Sequence, residues 1–177
     1  MSVPELKVFV HGKSVAIGKT KFSIQFVTKH FPEEYDPEIE YTGRRTMTVD
    51  GKEVMVEISD ISGGDDSLCA KYITAAHGLI FMYSLDWPDS LQALKTIYGE
   101  VTSLKKTNAF PFIIVANKCD LLTAEHQALL QEGKDLADSF HVPHFEVSAK
   151  TGANVQESVC ALIRIIKTSK SDNCSVM

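Results

Sequence analysis

Leu6-Lys7-Val8-Phe9-Val10-His11-Gly12-Lys13-Ser14-Val15-Ala16-Ile17-Gly18-Lys19-Thr20 is the stretch that decides the fold. The apolar run Leu6 to Val10 reads as a strand, and Gly18-Lys19-Thr20 opens a helix expected to run from Gly18 to Thr28. A strand, a glycine-bearing loop and a helix in this order turn backbone N–H groups and a helix N-terminus toward one point, as phosphate binding requires. Lys19 would reach the terminal phosphates and Thr20 would ligate Mg²⁺. The spacing is irregular. A strict GxxxxGK[ST] loop needs glycine at position 13, which is Lys13, and five residues separate Gly12 from Gly18. Either the loop carries a one-residue bulge or a lysine takes the place of the first glycine.

Outward from this unit, short apolar segments alternate with longer amphipathic ones, the pattern of an α/β fold with a mostly parallel sheet and helices on both faces. Thr46 to Val49 and Val54 to Ile58 flank Asp50-Gly51, a strong two-residue hairpin signal, so one strand pair is expected to be antiparallel. Further strands fit Leu79 to Tyr83, Phe112 to Ala116 and Pro143 to Val147, six in all. Helical periodicity appears at Leu91, Leu94, Ile97, Val101 and Leu104, around Leu129 to Phe140, and at Val155, Val159, Leu162, Ile163 and Ile166. These stripes are core. No repeat or Pro/Gly linker divides the chain, so residues 1–169 form one domain and 170–177 a short polar tail expected to be flexible.

Composition narrows the partners. The formal charge of −5 and the lack of a dense Lys/Arg cluster argue against a nucleic-acid backbone. No apolar run approaches the roughly eighteen residues needed to span a bilayer. The amino terminus lacks an apolar signal core, and Ser2 excludes myristoylation, so cytosolic synthesis is expected. The cysteines Cys69, Cys119, Cys160 and Cys174 form neither a metal-binding pair nor a redox CxxC.

Three further motifs fall just after expected strands, at the carboxyl edge where open parallel sheets bind ligands. Asp60-Ile61-Ser62-Gly63 offers a carboxylate for Mg²⁺ and a glycine N–H that can approach a terminal phosphate closely. Asn117-Lys118-Cys119-Asp120 follows Phe112 to Ala116, and a carboxylate there can accept paired hydrogen bonds from guanine N1–H and the 2-amino group. Adenine has no such donor pair, so the site is expected to select guanine by about ten-thousandfold. Ser148-Ala149-Lys150 follows the last strand and could meet the base through backbone N–H groups.

The set, each motif once and in this order, resembles the Ras-like small GTPases over essentially the whole chain. Ile24-Gln25-Phe26, His30-Phe31, Glu34-Tyr35-Asp36-Pro37 and Ile39-Glu40 extend the likeness. The resemblance implies a P-loop G domain acting as a GTP/GDP switch with Mg²⁺. It implies nucleotide contacts from Val15, Ala16, Ile17, Gly18, Lys19, Thr20, Lys21, Phe31, Tyr35, Gly63, Asn117, Lys118, Asp120, Ser148, Ala149 and Lys150. Metal ligation falls to Thr20 and Asp60, with Glu38 a further candidate, and catalysis to Lys19, Gly63 and the position of Gly64. The first switch and effector surface spans Tyr35, Asp36, Pro37, Glu38, Ile39 and Glu40, and the second switch begins at Asp60. Effector proteins, an exchange factor and an activating protein are the implied partners of a monomer. Cys174-Ser175-Val176-Met177 matches the Cys-a-a-X pattern for farnesylation of Cys174. One prenyl chain anchors weakly, and only Lys167 and Lys170 lie nearby. Residence at the cytoplasmic face of a membrane, the plasma membrane foremost, with a soluble cytosolic pool is the expectation.

Three positions depart from the family. Glu38 stands where a threonine hydroxyl ligates Mg²⁺, Gly64 where a glutamine orients the attacking water, and Val15-Ala16 where paired glycines leave room for an arginine finger. Intrinsic hydrolysis in Ras is on the order of 10⁻⁴ per second and rises about 10⁵-fold with an activating protein. Losing the glutamine implies slow hydrolysis that responds little to such a partner. A nucleotide-bound scaffold without hydrolysis is the competing expectation, and a P-loop ATP kinase fails on Asn117 to Asp120.

Overall fold

The computed structural model describes residues 3–34, 40–61 and 66–174. Tyr35, Asp36, Pro37, Glu38, Ile39, Gly63 and Gly64 therefore lie outside the described residues. In chain order the elements are β1 (Glu5–His11), α1 (Lys19–Thr28), β2 (Tyr41–Val49), β3 (Lys52–Asp60), α2 (Asp66–Ala75), β4 (Gly78–Ser84), α3 (Asp89–Lys105), β5 (Phe112–Asn117), α4 (Gln127–Ser139), β6 (His144–Glu146) and α5 (Val155–Cys174).

The sheet has six strands in the order β2-β3-β1-β4-β5-β6, with β2–β3 antiparallel and every other pair parallel. Its carboxyl edge brings His11, Asp60, Ser84 and Asn117 to one side of the molecule, because all four end strands that run the same way. Strands β4 and β5 are buried along their whole length because they are covered on both faces. Val8 and Val10 point into a core shared with Phe22, Phe26, Leu162 and Ile163, whereas Phe9 between them joins Phe81, Leu94, Val101 and Leu136 on the other face. The Asp50-Gly51 turn has φ 53° and 75°, the positive pair a type I′ hairpin demands.

Several elements differ from the sequence expectation. Strand β2 starts at Tyr41 rather than Thr46, because its polar first half still pairs with β3, Tyr41 opposite Asp60 and Arg44 opposite Glu57. An Arg44–Glu57 ion pair, with Glu57 buried, replaces the apolar alternation that would have revealed it. Helix α2 was not anticipated; only Ile73 within it is buried, so its periodic signal is faint. Strand β6 is three residues long. Helix α5 continues through Cys174, so the domain boundary expected at 169 falls inside a helix rather than at the start of a tail.

Candidate functional site

Gly12 closes β1, and a Cβ there would collide with the Met82 carbonyl oxygen of β4 and with Ile17. Its glycine therefore serves sheet packing, and the loop proper begins at Lys13. Lys13 is not among the residues of positive φ, so a lysine fits the first-glycine position without a bulge. The strain sits one residue later. Ser14 holds φ 84° and ψ 147°, a region nearly reserved for glycine, at a cost of about 1–3 kcal/mol. Two contacts retain it: its Oγ accepts from the Ala16 N–H at 3.2 Å, and its carbonyl accepts from Lys19 Nζ at 2.7 Å.

A turn of 3-10 helix, Val15–Ile17, then leads to Gly18 at φ 86°, ψ 30°. No side chain caps α1. The positive end of the helix dipole at Lys19 favours an anion there. Lys19 is only 4% exposed. Burial draws its pKa down and the Asp60 carboxylate partly restores it.

The Thr20 hydroxyl donates to Asp60 Oδ1 at 2.5 Å, bringing α1 and the end of β3 together. Asp60 is fully buried, which raises its pKa against the opposing hydrogen bonds of Thr20 and Ser23 and the charge of Lys19. Its Oδ2 has no hydrogen-bond partner. An orphaned buried carboxylate oxygen beside a hydroxyl is a fitting half-site for Mg²⁺, which takes one or two protein ligands and fills the rest with water and phosphate.

Beyond the loop lies a cavity of about 420 Å³, walled by Val15, Ala16 and Gly18 on one side and by Asn117, Lys118 and Asp120 on the other. Lys21, Phe31, Ala149 and Lys150 complete the rim expected from the sequence. Asn117 is 1% exposed and wires the two ends together. Its Nδ2 donates to the Ile17 carbonyl at 2.9 Å and its Oδ1 accepts from the Ala149 N–H at 3.1 Å. Asn117 is thereby a positioning residue as well as a lining one, and the Ala149 N–H expected to face a base already has a partner within the protein.

Asp120 is exposed toward the cavity rather than desolvated by the strand it follows. The buried Ser148 hydroxyl donates to its Oδ1 at 2.5 Å and orients it. Ser148 Oγ in turn accepts from the Thr151 N–H at 3.1 Å. Ser148 thus orients Asp120 through its side chain, while its backbone N–H donates to the Ala153 carbonyl at 3.1 Å. Cys119 is structural: burial pushes its thiol pKa up to about 11, and its N–H donates to the Val147 carbonyl.

Two lining residues carried no motif. Leu121 is the next residue after Asp120. Asp86, two residues past β4, accepts from Lys118 Nζ at 2.7 Å and from the Ser84 hydroxyl at 2.5 Å. Burial opposes its ionisation, but the bonds from Lys118 and Ser84 hold its carboxyl below the usual range. The pair lays the Lys118 stem along the cavity wall. Only the position of Asp86 at the sheet's carboxyl edge hinted at it. Of the remaining expected positions, Glu40 is exposed, and Cys174 is the last residue of α5.

The sequence model of the Ras family matches residues 7–168. The Ras-like protein rasS of Dictyostelium discoideum is 32% identical over 159 residues, covering 89% of this chain and 81% of that protein. Nearly the whole sheet and every lining residue of the cavity lie inside the matched span, and on that extent of agreement the chain belongs to the Ras family of small GTPases.

Proposed function

We propose that this GTP-binding protein is a Mg²⁺-dependent guanine-nucleotide switch that hydrolyses GTP slowly. The observation that supports the base assignment is the Ser148–Asp120 bond: a buried hydroxyl aims one carboxylate oxygen and leaves the other to the cavity. Guanine N1–H and its 2-amino group supply the donors that this oxygen pair accepts. A base lying against Lys118 and Asp120 directs its phosphates to the uncapped start of α1, where Lys19 neutralises charge. Thr20 and Asp60 hold Mg²⁺, which supplies charge neutralisation at the phosphates.

Slow hydrolysis follows from residues whose chemistry is plain in the sequence. Gly64 has no side chain to orient water, and Glu38 brings negative charge toward an anionic phosphate. Val15 is 46% exposed beside the loop, where it narrows the approach of an arginine finger. Tyr35 to Glu40 serves as the effector surface. A farnesyl group on Cys174 provides reversible attachment to the cytoplasmic face of a membrane, since Lys167 and Lys170 form a thin basic patch that Asp172 offsets.

The test identifies the nucleotide that copurifies and then follows single-turnover GTP hydrolysis in the wild type and in Gly64→Gln with Glu38→Thr. Bound guanine nucleotide, slow wild-type turnover and a faster double variant are expected. Copurified adenine nucleotide alone would sink the base assignment, and wild-type turnover at the rate of an activated Ras protein would sink the slow switch. No detectable hydrolysis in wild type or variant would leave the scaffold reading. Equal membrane fractions for wild type and Cys174→Ser would remove the farnesyl anchor.

A further inference from the structure

The lysines at the two sides of the cavity are held differently. Lys118 is neutralised by Asp86 at 2.7 Å. Lys21, in the first turn of α1, has no carboxylate partner among the described residues, and its ammonium sits 4.5 Å from the centre of the Phe31 ring. That ring is a wall of the same cavity. The chain returns to Lys21 because α1 ends abruptly. Lys29 is left-handed at φ 62° and its N–H donates to the Gln25 carbonyl at 2.9 Å. The Thr28 hydroxyl then accepts from the His30 N–H at 3.1 Å, which sends Phe31 back along the helix. Beyond that turn, among the described residues, Phe31 to Glu34 make no hydrogen bond or ion pair with the rest of the protein. The lysine–aromatic contact ties the ring to α1 at the cavity.

We infer that Lys21 is a positioning residue that holds Phe31 as the side wall of the base site, and so slows nucleotide release. This deepens the guanine-nucleotide reading and rests on it. A cation facing an aromatic ring at this distance attracts the ring's negative face, and the attraction grows as the site is closed from water. Placing the cation two residues after Lys19 couples the phosphate end to the base end through a single helical turn. The inference concerns the ring's position, not a direct contact between Lys21 and the phosphates.

The experiment has two arms. In the first, release of a fluorescent GDP analogue is followed in the wild type, Lys21→Met, Lys21→Arg, Phe31→Leu and the Lys21→Met/Phe31→Leu double variant. Expected are release about three- to fivefold faster in Lys21→Met, near-wild-type release in Lys21→Arg, and release roughly tenfold faster or more in Phe31→Leu, which loses the aromatic wall. The double variant should be no faster than Phe31→Leu. Additive effects would mean that Lys21 acts on the anion alone and would overturn the inference, as would unchanged release in Lys21→Met. The second arm needs no nucleotide: the ε-methylene proton signals of Lys21 should lie upfield through the Phe31 ring current and return to ordinary positions in Phe31→Leu. An unshifted wild-type signal overturns the inference; a shifted signal in a protein that holds no guanine nucleotide overturns the base assignment and leaves the contact standing.

Discussion

At the base end of the cavity Asn117, Ser148 and Ala149 are buried, and each spends its polar groups on a neighbouring loop. At the phosphate end Ser14 holds a glycine-like conformation and Val15 stands 46% exposed. The contrast separates a braced end from a strained one. A network satisfied within the protein fixes the Asp120 carboxylate at the cavity, and rigid preorganisation of this kind favours affinity. The loop at the phosphate end instead stores backbone strain beside an exposed apolar side chain.

The comparison can be broken most severely at Asp120. Replacing it with Ala removes the acceptor pair, and calorimetry should find GDP affinity lower by about a thousandfold or more, with discrimination against adenine nucleotides lost. Retained guanine preference would move base recognition elsewhere. Next comes Asn117→Ala, which cuts both ties between the ends and strands the Ile17 carbonyl and the Ala149 N–H. Urea unfolding should register a loss of about 3 kcal/mol or more; a loss under 1 kcal/mol would show that the two ends are not coupled through this amide.

A pH series compares the ends through their histidines. His11, beside the phosphate loop, has its pKa lowered to about 4 by burial and then by the charge of Lys19. His144, whose Nε2 meets the Tyr83 hydroxyl at 3.0 Å under the base end, is lowered to about 4, chiefly by burial. Both are neutral in the folded protein and protonate readily when unfolded. Each therefore contributes stability that is present above the ordinary histidine pKa of about 6.5 and is lost as pH falls toward 4, on the order of 2–3 kcal/mol apiece. Denaturant midpoints measured from pH 7 to pH 4.5 should fall, and His11→Gln or His144→Gln should each flatten the slope. A slope untouched by either variant would refute the assignment.

The smallest effect is expected at Ser14→Gly. Glycine relieves the backbone strain but forfeits the bond to the Ala16 N–H, so the folded state should gain less than about 1 kcal/mol. A clear destabilisation would show that the hydroxyl, not the strain, governs the loop.

Much of this was legible along the chain because it is local. The Gly18-Lys19-Thr20 opening of α1, the Asp50-Gly51 turn and the apolar runs of β4 and β5 each express a backbone preference or a burial pattern within a few residues. The first half of β2 carries no local signal because Arg44 is satisfied by Glu57 thirteen positions away. Helix α2 carries only a faint one because it buries only Ile73. Asp86 carries none because its meaning is its pairing with Lys118, thirty-two positions later.

The sequence by itself determined the order of elements, the carboxyl-edge placement of the motifs and the residue types available for base, phosphate and metal, since these depend on short-range periodicity and side-chain chemistry. Only the tertiary structure decided how they act. It made Gly12 a packing glycine and Lys13 the start of the loop, turned Asn117 into the brace between two loops, aimed Asp120 through Ser148, and set Lys21 against Phe31. Distances between residues far apart in the chain arise from the packing of helices on both faces of the sheet, and no local pattern encodes them.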